Sequence, residues 1–305
     1  MSTTAANTLN AALNQALGLL RAGRLGEADA LLARLRAQAP QSPDVWRLSG
    51  AAARGRGDSQ TGAQRLREAV RLAPQHHEAW NTLGLALGDL GDAAGAADAF
   101  QTALKLSPGF APAAINLARR HLADGAPEAA RAVIAPFASS SAQAASLHVR
   151  ALREAEQVEA AYEAAQSALG RWPGDPRLRY AAGQCLIDLG RPAEALEALD
   201  GVAQAGLPQA HYACFAALAR LHRFDEAEAA ADAALAADPT DPAALHGAAQ
   251  MRWMTGRGEA IPSVFETALD RSVGALGVYL AYADTLIQMA KLDEARAVLQ
   301  RAWAD

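Results

Sequence analysis

The chain has 305 residues, half of them hydrophobic, with 5% aromatics, 20% charged residues and a formal net charge of -5. Alanine and leucine dominate while β-branched residues are sparse, a balance that favours an all-α chain with small side chains at close helix contacts and excludes a disordered one. The acidic balance argues against a nucleic-acid partner, and no apolar run approaches the ~20 residues needed to span a bilayer. The first positive side chain is Arg21, so no basic leader is expected and the cytoplasm is the default compartment. Cys185 and Cys214 both fall within predicted helices, where a free cysteine acts as a small apolar residue rather than as part of a disulfide framework.

Taken along the chain, the predicted helices are punctuated at a fixed distance. Pro40, Pro74 and Pro108 lie 34 residues apart, as do Trp46 and Trp80. Each proline follows a small–large–small run such as Ala96, Phe100 and Ala103, whose spacing places all three on one helical face before a helix stop. Gly23, Gly57, Gly91, Gly125, Gly190 and Gly256 recur where a tight turn between two helices needs positive φ.

At the residue level this resembles the tetratricopeptide repeat family, whose pattern has Trp at position 4, Leu at 7, Gly at 8, Ala at 20, Phe at 24, Ala at 27 and Pro at 32. The stretch 77–110 matches all seven with Trp80, Leu83, Gly84, Ala96, Phe100, Ala103 and Pro108. Carried along the chain, the register divides it into 9–42, 43–76, 77–110, 111–141, 142–175, 176–207, 208–241, 242–275 and 276–305. The units 111–141 and 176–207 fall short, and Pro262 enters a second helix in 242–275. The resemblance implies one right-handed superhelical α-solenoid of antiparallel helix pairs over 1–305. Its stability would come from stacking of neighbours, since no single pair can bury its apolar face alone.

Catalytic signatures are missing from the sequence. None of the seven histidines is followed two residues later by a carboxylate except His76, with Glu78, and the pair His76-His77 reads as a solvated link between units. There is no Cys-x-x-Cys, phosphate-binding loop or Gly-x-Ser-x-Gly elbow. Arg56-Gly57-Asp58 belongs to an intra-unit turn. The chain itself is therefore expected to be no enzyme and to hold no cofactor or metal.

In the family, the first helix of each unit lines a concave groove. The resemblance places Asn116, Arg119, Arg150, Arg153, Arg177, Tyr180, Gln184, Tyr212 and Trp253 on that wall. Arginines beside aromatics suit a protein or extended peptide with acidic groups, phosphate being a second ligand chemistry; the alternative is that these arginines pair with neighbouring carboxylates or face water. The family's carboxylate clamp is not reproduced, because Arg47, Ala51 and Thr82 stand at its positions. On the last helix, Leu299 and Trp303 are candidates for exposure, offering contact with a second copy or with a following domain. The leading expectation is a peptide-binding scaffold. The alternative is the substrate-recruiting arm of a larger enzyme, such as a 2-oxoglutarate/iron oxygenase or a transferase, with its catalytic domain beyond Asp305.

Overall fold

The computed structural model describes residues 3–271 and 276–304, and every regular element among them is helical. The helices form two compact units, Met1–Ser140 and Ser141–Asp305. The first holds α1 (Thr3–Arg21) and α2 (Leu25–Gln38), α3 (Pro43–Gly55) and α4 (Ser59–Leu72), α5 (His77–Asp89) and α6 (Ala93–Leu106), and α7 (Ala111–Ala123) and α8 (Pro127–Ile134). The second holds α9 (Ala142–Glu154) and α10 (Val158–Arg171), α11 (Pro176–Asp188) and α12 (Pro192–Leu199), α13 (Ala210–Arg220) and α14 (Phe224–Ala237), α15 (Pro242–Met254) and α16 (Ile261–Arg271), and α17 (Leu276–Gln288) and α18 (Leu292–Ala304). Within each unit a helix touches its partner in the pair, and the first helix of each pair touches the first helix of the next. This is the stacking of an α-helical repeat solenoid.

The turn inside each pair has one construction. The six glycines at Gly23, Gly57, Gly91, Gly125, Gly190 and Gly256 all have φ between 69° and 86°. The N–H after each turn residue reaches the carbonyl five residues back, as in Asp58 to Ala53 and Asp92 to Leu87, which satisfies carbonyls that the helix end would otherwise orphan. The other three pairs build the same turn without glycine: Glu156, His222 and Ala290 sit at φ 59°, 57° and 58°, and Gln157, Arg223 and Lys291 make the equivalent bonds. These nine residues occupy the fifteenth position of the ranges read from the sequence.

Close approach of the two helices depends on the eighth position. A Cβ on Gly84 would fall 2.6 Å from the Phe100 ring, one on Gly183 2.7 Å from Leu199, and one on Gly50 2.5 Å from Leu66. All three large partners are buried. A second device secures the links. Trp46 Nε1 donates to the carbonyl of Pro40 at 2.7 Å, and Trp80 Nε1 to that of Pro74 at 2.8 Å. The recurring tryptophan thus satisfies the carbonyl of the proline that ends the preceding pair.

The irregular units lose residues from their second helices. α8 and α12 have eight residues each, where α4 and α6 have fourteen. Beyond α8, Pro136 sits in a 3-10 turn, Ala135–Phe137. Beyond α12, Gly201 and Gly206 take positive φ in an irregular link. Pro262 does not break a helix, because α16 begins at Ile261 and the proline falls in its first turn, where a missing N–H costs nothing. The turn before it is pinned by Glu228, a buried carboxylate on α14 that pairs with Arg257 and lies 3.8 Å from Arg252.

Two substitutions test this construction in opposite directions. Ala290→Gly removes a left-handed alanine costing about 1–2 kcal/mol, partly offset by a looser unfolded chain, so a stability gain of about 0.5–1 kcal/mol is expected on urea denaturation. Gly84→Ala drives a methyl into Phe100 and is expected to lose about 1–3 kcal/mol; an unchanged midpoint would show that the helix pair can spread to admit it.

Candidate partner-binding wall

In the first unit, α1, α3, α5 and α7 follow one another in contact. Asp44 and Arg47 sit one helical turn apart on α3, and Arg47 Nη2 lies 3.0 Å from Asp44 and 3.3 Å from Glu78 on α5. His76 Nε2 lies 3.2 Å from the same Asp44 oxygen. The hydrogen bonds with His76 and then Arg47 hold the Asp44 carboxyl down at about 2, against an ordinary value of 3.8, while burial opposes the shift. The histidine link is therefore not simply solvated: His76 closes this network, and His77 meets Phe110 edge-on at 4.7 Å. The link between pairs brings a ring near the preceding first helix, a contact that the sequence pattern does not encode. Further along, Asn116 Nδ2 donates to Asn81 Oδ1 at 3.0 Å. Arg119 is exposed and makes no ion pair among the described residues.

The second unit presents α9, α11, α13, α15 and α17 in succession. Arg150 Nε bonds Glu154 at 2.6 Å one turn along α9. Arg153 reaches across to Asp188 on α11 at 3.4 Å, matching Arg54 and Asp89 at 2.6 Å in the first unit. The Arg177 side chain is exposed and has no ion-pair partner among the described residues. Tyr180 is half-buried, and its hydroxyl accepts from Gln184 at 2.9 Å. Burial pushes the Tyr180 phenol up, with Arg153 and Arg150 pulling the other way, so these four side chains form one neighbourhood. Tyr212 tilts against Phe215 with centroids 5.4 Å apart, and burial raises its phenol as well. Trp253 is 57% exposed and lies over Gly258, where a Cβ would stand 3.2 Å from the ring.

This wall is therefore graded. Cationic side chains sit on α9 and α11, tyrosines on α11 and α13, and an open tryptophan on α15. Of the four arginines singled out in the sequence, two have carboxylate partners and two do not. The repeat pattern does not single out Glu154 and Asp188, although an Arg at position 12 followed 35 residues later by Asp at position 13 recurs as Arg54–Asp89 and Arg153–Asp188. At the other end of the same unit, Leu299 is 40% and Trp303 94% exposed. The equivalent residues one pair earlier, Phe265 and Leu269, are buried, and Phe265 stacks on Tyr282 of the next first helix at 4.6 Å.

Burial pushes the Cys185 thiol up to about 11, which leaves it protonated and unreactive at neutral pH. Among the described residues no group of three His, Cys, Asp or Glu side chains could hold a metal ion, and no helix is long and apolar enough to cross a membrane.

Comparison with known families finds two models, both described as tetratricopeptide repeat. One matches residues 89–148 and 152–221, the other 13–77, 49–109 and 215–275. Curated proteins give no match. Among solved structures, a chain of the APC/C hetero-tetramer Cut9-Hcn1 is similar over 90% of this chain, with 16% identity and a TM-score of 0.61. This chain spans 55% of that one's length. A tetratricopeptide repeat protein from Parabacteroides merdae matches over 87% of this chain and 93% of its own, with 16% identity and a TM-score of 0.56. At such identities the likeness establishes the fold.

The Asp44 network sets a pH dependence with a definite sign. A carboxyl held near 2 in the folded chain and near 3.8 when unfolded contributes stability that is complete above about 4 and is lost as pH falls through about 2. Urea midpoints of the native chain and Asp44→Asn are expected to differ most above pH 4 and to converge by pH 2. A constant gap across that range would show that Asp44 is not held by its neighbours.

Proposed function

Because the chain belongs to the tetratricopeptide repeat family, we propose that it is a non-catalytic scaffold that binds an extended, acidic peptide segment of a partner protein along the wall of first helices. The observation that supports this most directly is the state of the arginines. Arg177 stands exposed with no ion-pair partner among the described residues, and Arg150 is tied only to a neighbour on its own helix. An exposed pair of that kind is worth ~1 kcal/mol or less, so a ligand carboxylate can displace it at little cost. The guanidinium fork then offers bidentate bonds to carboxylates. Tyr180, hydrogen-bonded to Gln184, stands near Arg150 and Arg153 and adds a rigid ring to that part of the wall.

The exposed end of α18 supports a second contact, with a helical partner, for which a second copy of the chain is the simplest source. Leu299 and Trp303 present the face that Phe265 and Leu269 bury against the following helix. The reading as the recruiting arm of a larger enzyme rests on the resemblance alone.

Two measurements test these readings. A displayed library of random 16-residue peptides, selected on the intact chain, is expected to yield acidic sequences. The best of them should bind Arg150→Ala/Arg177→Ala about tenfold more weakly, with a shallower salt dependence. Basic or neutral winners, or an unchanged affinity, would refute the acidic groove. Light scattering on the native chain and on Trp303→Ser is expected to show association that the serine removes; a monomeric native chain at high concentration disposes of the second contact.

A further inference from the structure

The wall of the second unit ends in a hollow of a different kind. Between α15 and α17 lies a cavity of about 230 Å³. Its floor is Ile261, fully buried, and its sides are Trp253, Met254 and Met289, with Gln250 and Gln288 at the mouth. His246 and Thr285 complete the polar part of the lining, which contains no lysine, arginine, aspartate or glutamate. Trp253 and Met254 are both at least half exposed although they border a fully buried isoleucine. Exposed apolar side chains grouped around a hollow mark a binding surface. Methionine walls adapt to the shape of what enters, and an apolar cavity of about 150 Å³ already takes a benzene-sized group.

We infer that this cavity is an anchor site for one large apolar side chain, phenylalanine or leucine, of the same extended peptide whose carboxylates engage Arg150 and Arg177. The inference rests on the groove reading above and adds to it a bipartite ligand. The charge pattern selects that occupant. The cationic end of the wall is on α9 and α11, whereas the cavity offers a carboxylate no lysine or arginine, only the imidazole of His246 at its edge, beside the apolar faces of Trp253, Met254, Ile261 and Met289. Gln250 and Gln288 can meet the N–H and C=O groups on either side of the inserted residue. The wall also fixes the spacing. Neighbouring packed helices lie about 8–10 Å apart. The cavity on α15 is two helix steps from Arg177 and three from Arg150, or roughly 18–27 Å. At ~3.3 Å per extended residue, the apolar anchor lies about five to eight residues from the carboxylates.

The test uses fluorescein-labelled synthetic peptides with four glutamates, a serine–glycine spacer of two, six or twelve residues, and a terminal phenylalanine or alanine, read by fluorescence anisotropy on the intact chain. With the six-residue spacer, the phenylalanine peptide is expected to bind about tenfold more tightly than its alanine counterpart. The two-residue spacer should give little of that gain, and the twelve-residue spacer less than the six. Trp253→Ala should abolish the difference between the phenylalanine and alanine peptides. Arg150→Ala/Arg177→Ala should weaken both peptides together. Trp253 is exposed, so its loss should not unfold the chain, and circular dichroism checks this. Gly258→Val, which crowds the same ring from beneath, gives an independent variant expected to reduce the gain. If phenylalanine and alanine peptides bind equally well at every spacing, the anchor site falls while glutamate-dependent binding upholds the groove. If no peptide binds, both readings fall together.

Discussion

Everything in this protein depends on how closely two helices of a pair can approach. Gly50, Gly84 and Gly183 leave no room for a methyl group against Leu66, Phe100 and Leu199. The large residue therefore packs directly against the bare glycine of the partner helix. Phe265 shows the consequence: it closes its own pair and stacks on Tyr282 of the pair that follows. One side chain thus serves two interfaces, and stability passes from neighbour to neighbour rather than residing in a common core. The same economy explains why alanine is so abundant. Small residues at the crossing points hold the helices near enough for a few large ones to fill the remaining volume.

The tight turn inside each pair tolerates more chemical variety than the crossing does. Glu156, His222 and Ala290 adopt the left-handed conformation that glycine takes in the other six turns. The hydrogen bonds across the turn are identical in kind, so the surrounding helices impose the geometry on whatever residue stands there. Residues are gained and lost elsewhere, at the far ends of α8 and α12, where an eight-residue helix and an irregular link replace a full-length one. First helices keep lengths of 11–13 residues from α3 to α17. The one shorter first helix, α13 with 11 residues, follows the irregular link beyond α12.

The fold was legible because its constraints are local and repeated. Proline, glycine and tryptophan recur at fixed spacing, and each has its own use in the structure: proline ends a helix, glycine turns the chain, and tryptophan satisfies the proline's carbonyl. The wall was legible only in outline. Register placed Arg150, Arg153, Tyr180 and Gln184 together, since a common position on successive first helices brings side chains into one neighbourhood. It could not say which charges were already compensated, because Glu154 and Asp188 act through a helical turn and a cross-pair contact that composition does not weigh. Nor could it foresee the hollow beside Trp253. Met254 and Ile261 lie at the end of α15 and the start of α16 and Met289 just after α17, and only the packing of these helices brings them together.

The fate of the arginines is the most informative part of the wall. Arg54 and Arg153 occupy one position in their pairs and spend their charge on Asp89 and Asp188, one position further along in the next pair. Arg301 is likewise tied to Glu266, across a separation of 35 residues. These pairs are partly exposed and individually weak, but they recur where two pairs meet and so favour one stacking register over its alternatives. Several arginines in this chain are thus spent on contacts between helices, and a count of positive charges overstates what a ligand would find. Arg177, like Arg119, is exposed and makes no ion pair among the described residues. A cation left unmatched on an ordered surface costs the fold little in water, and it retains its full attraction for a carboxylate arriving from outside.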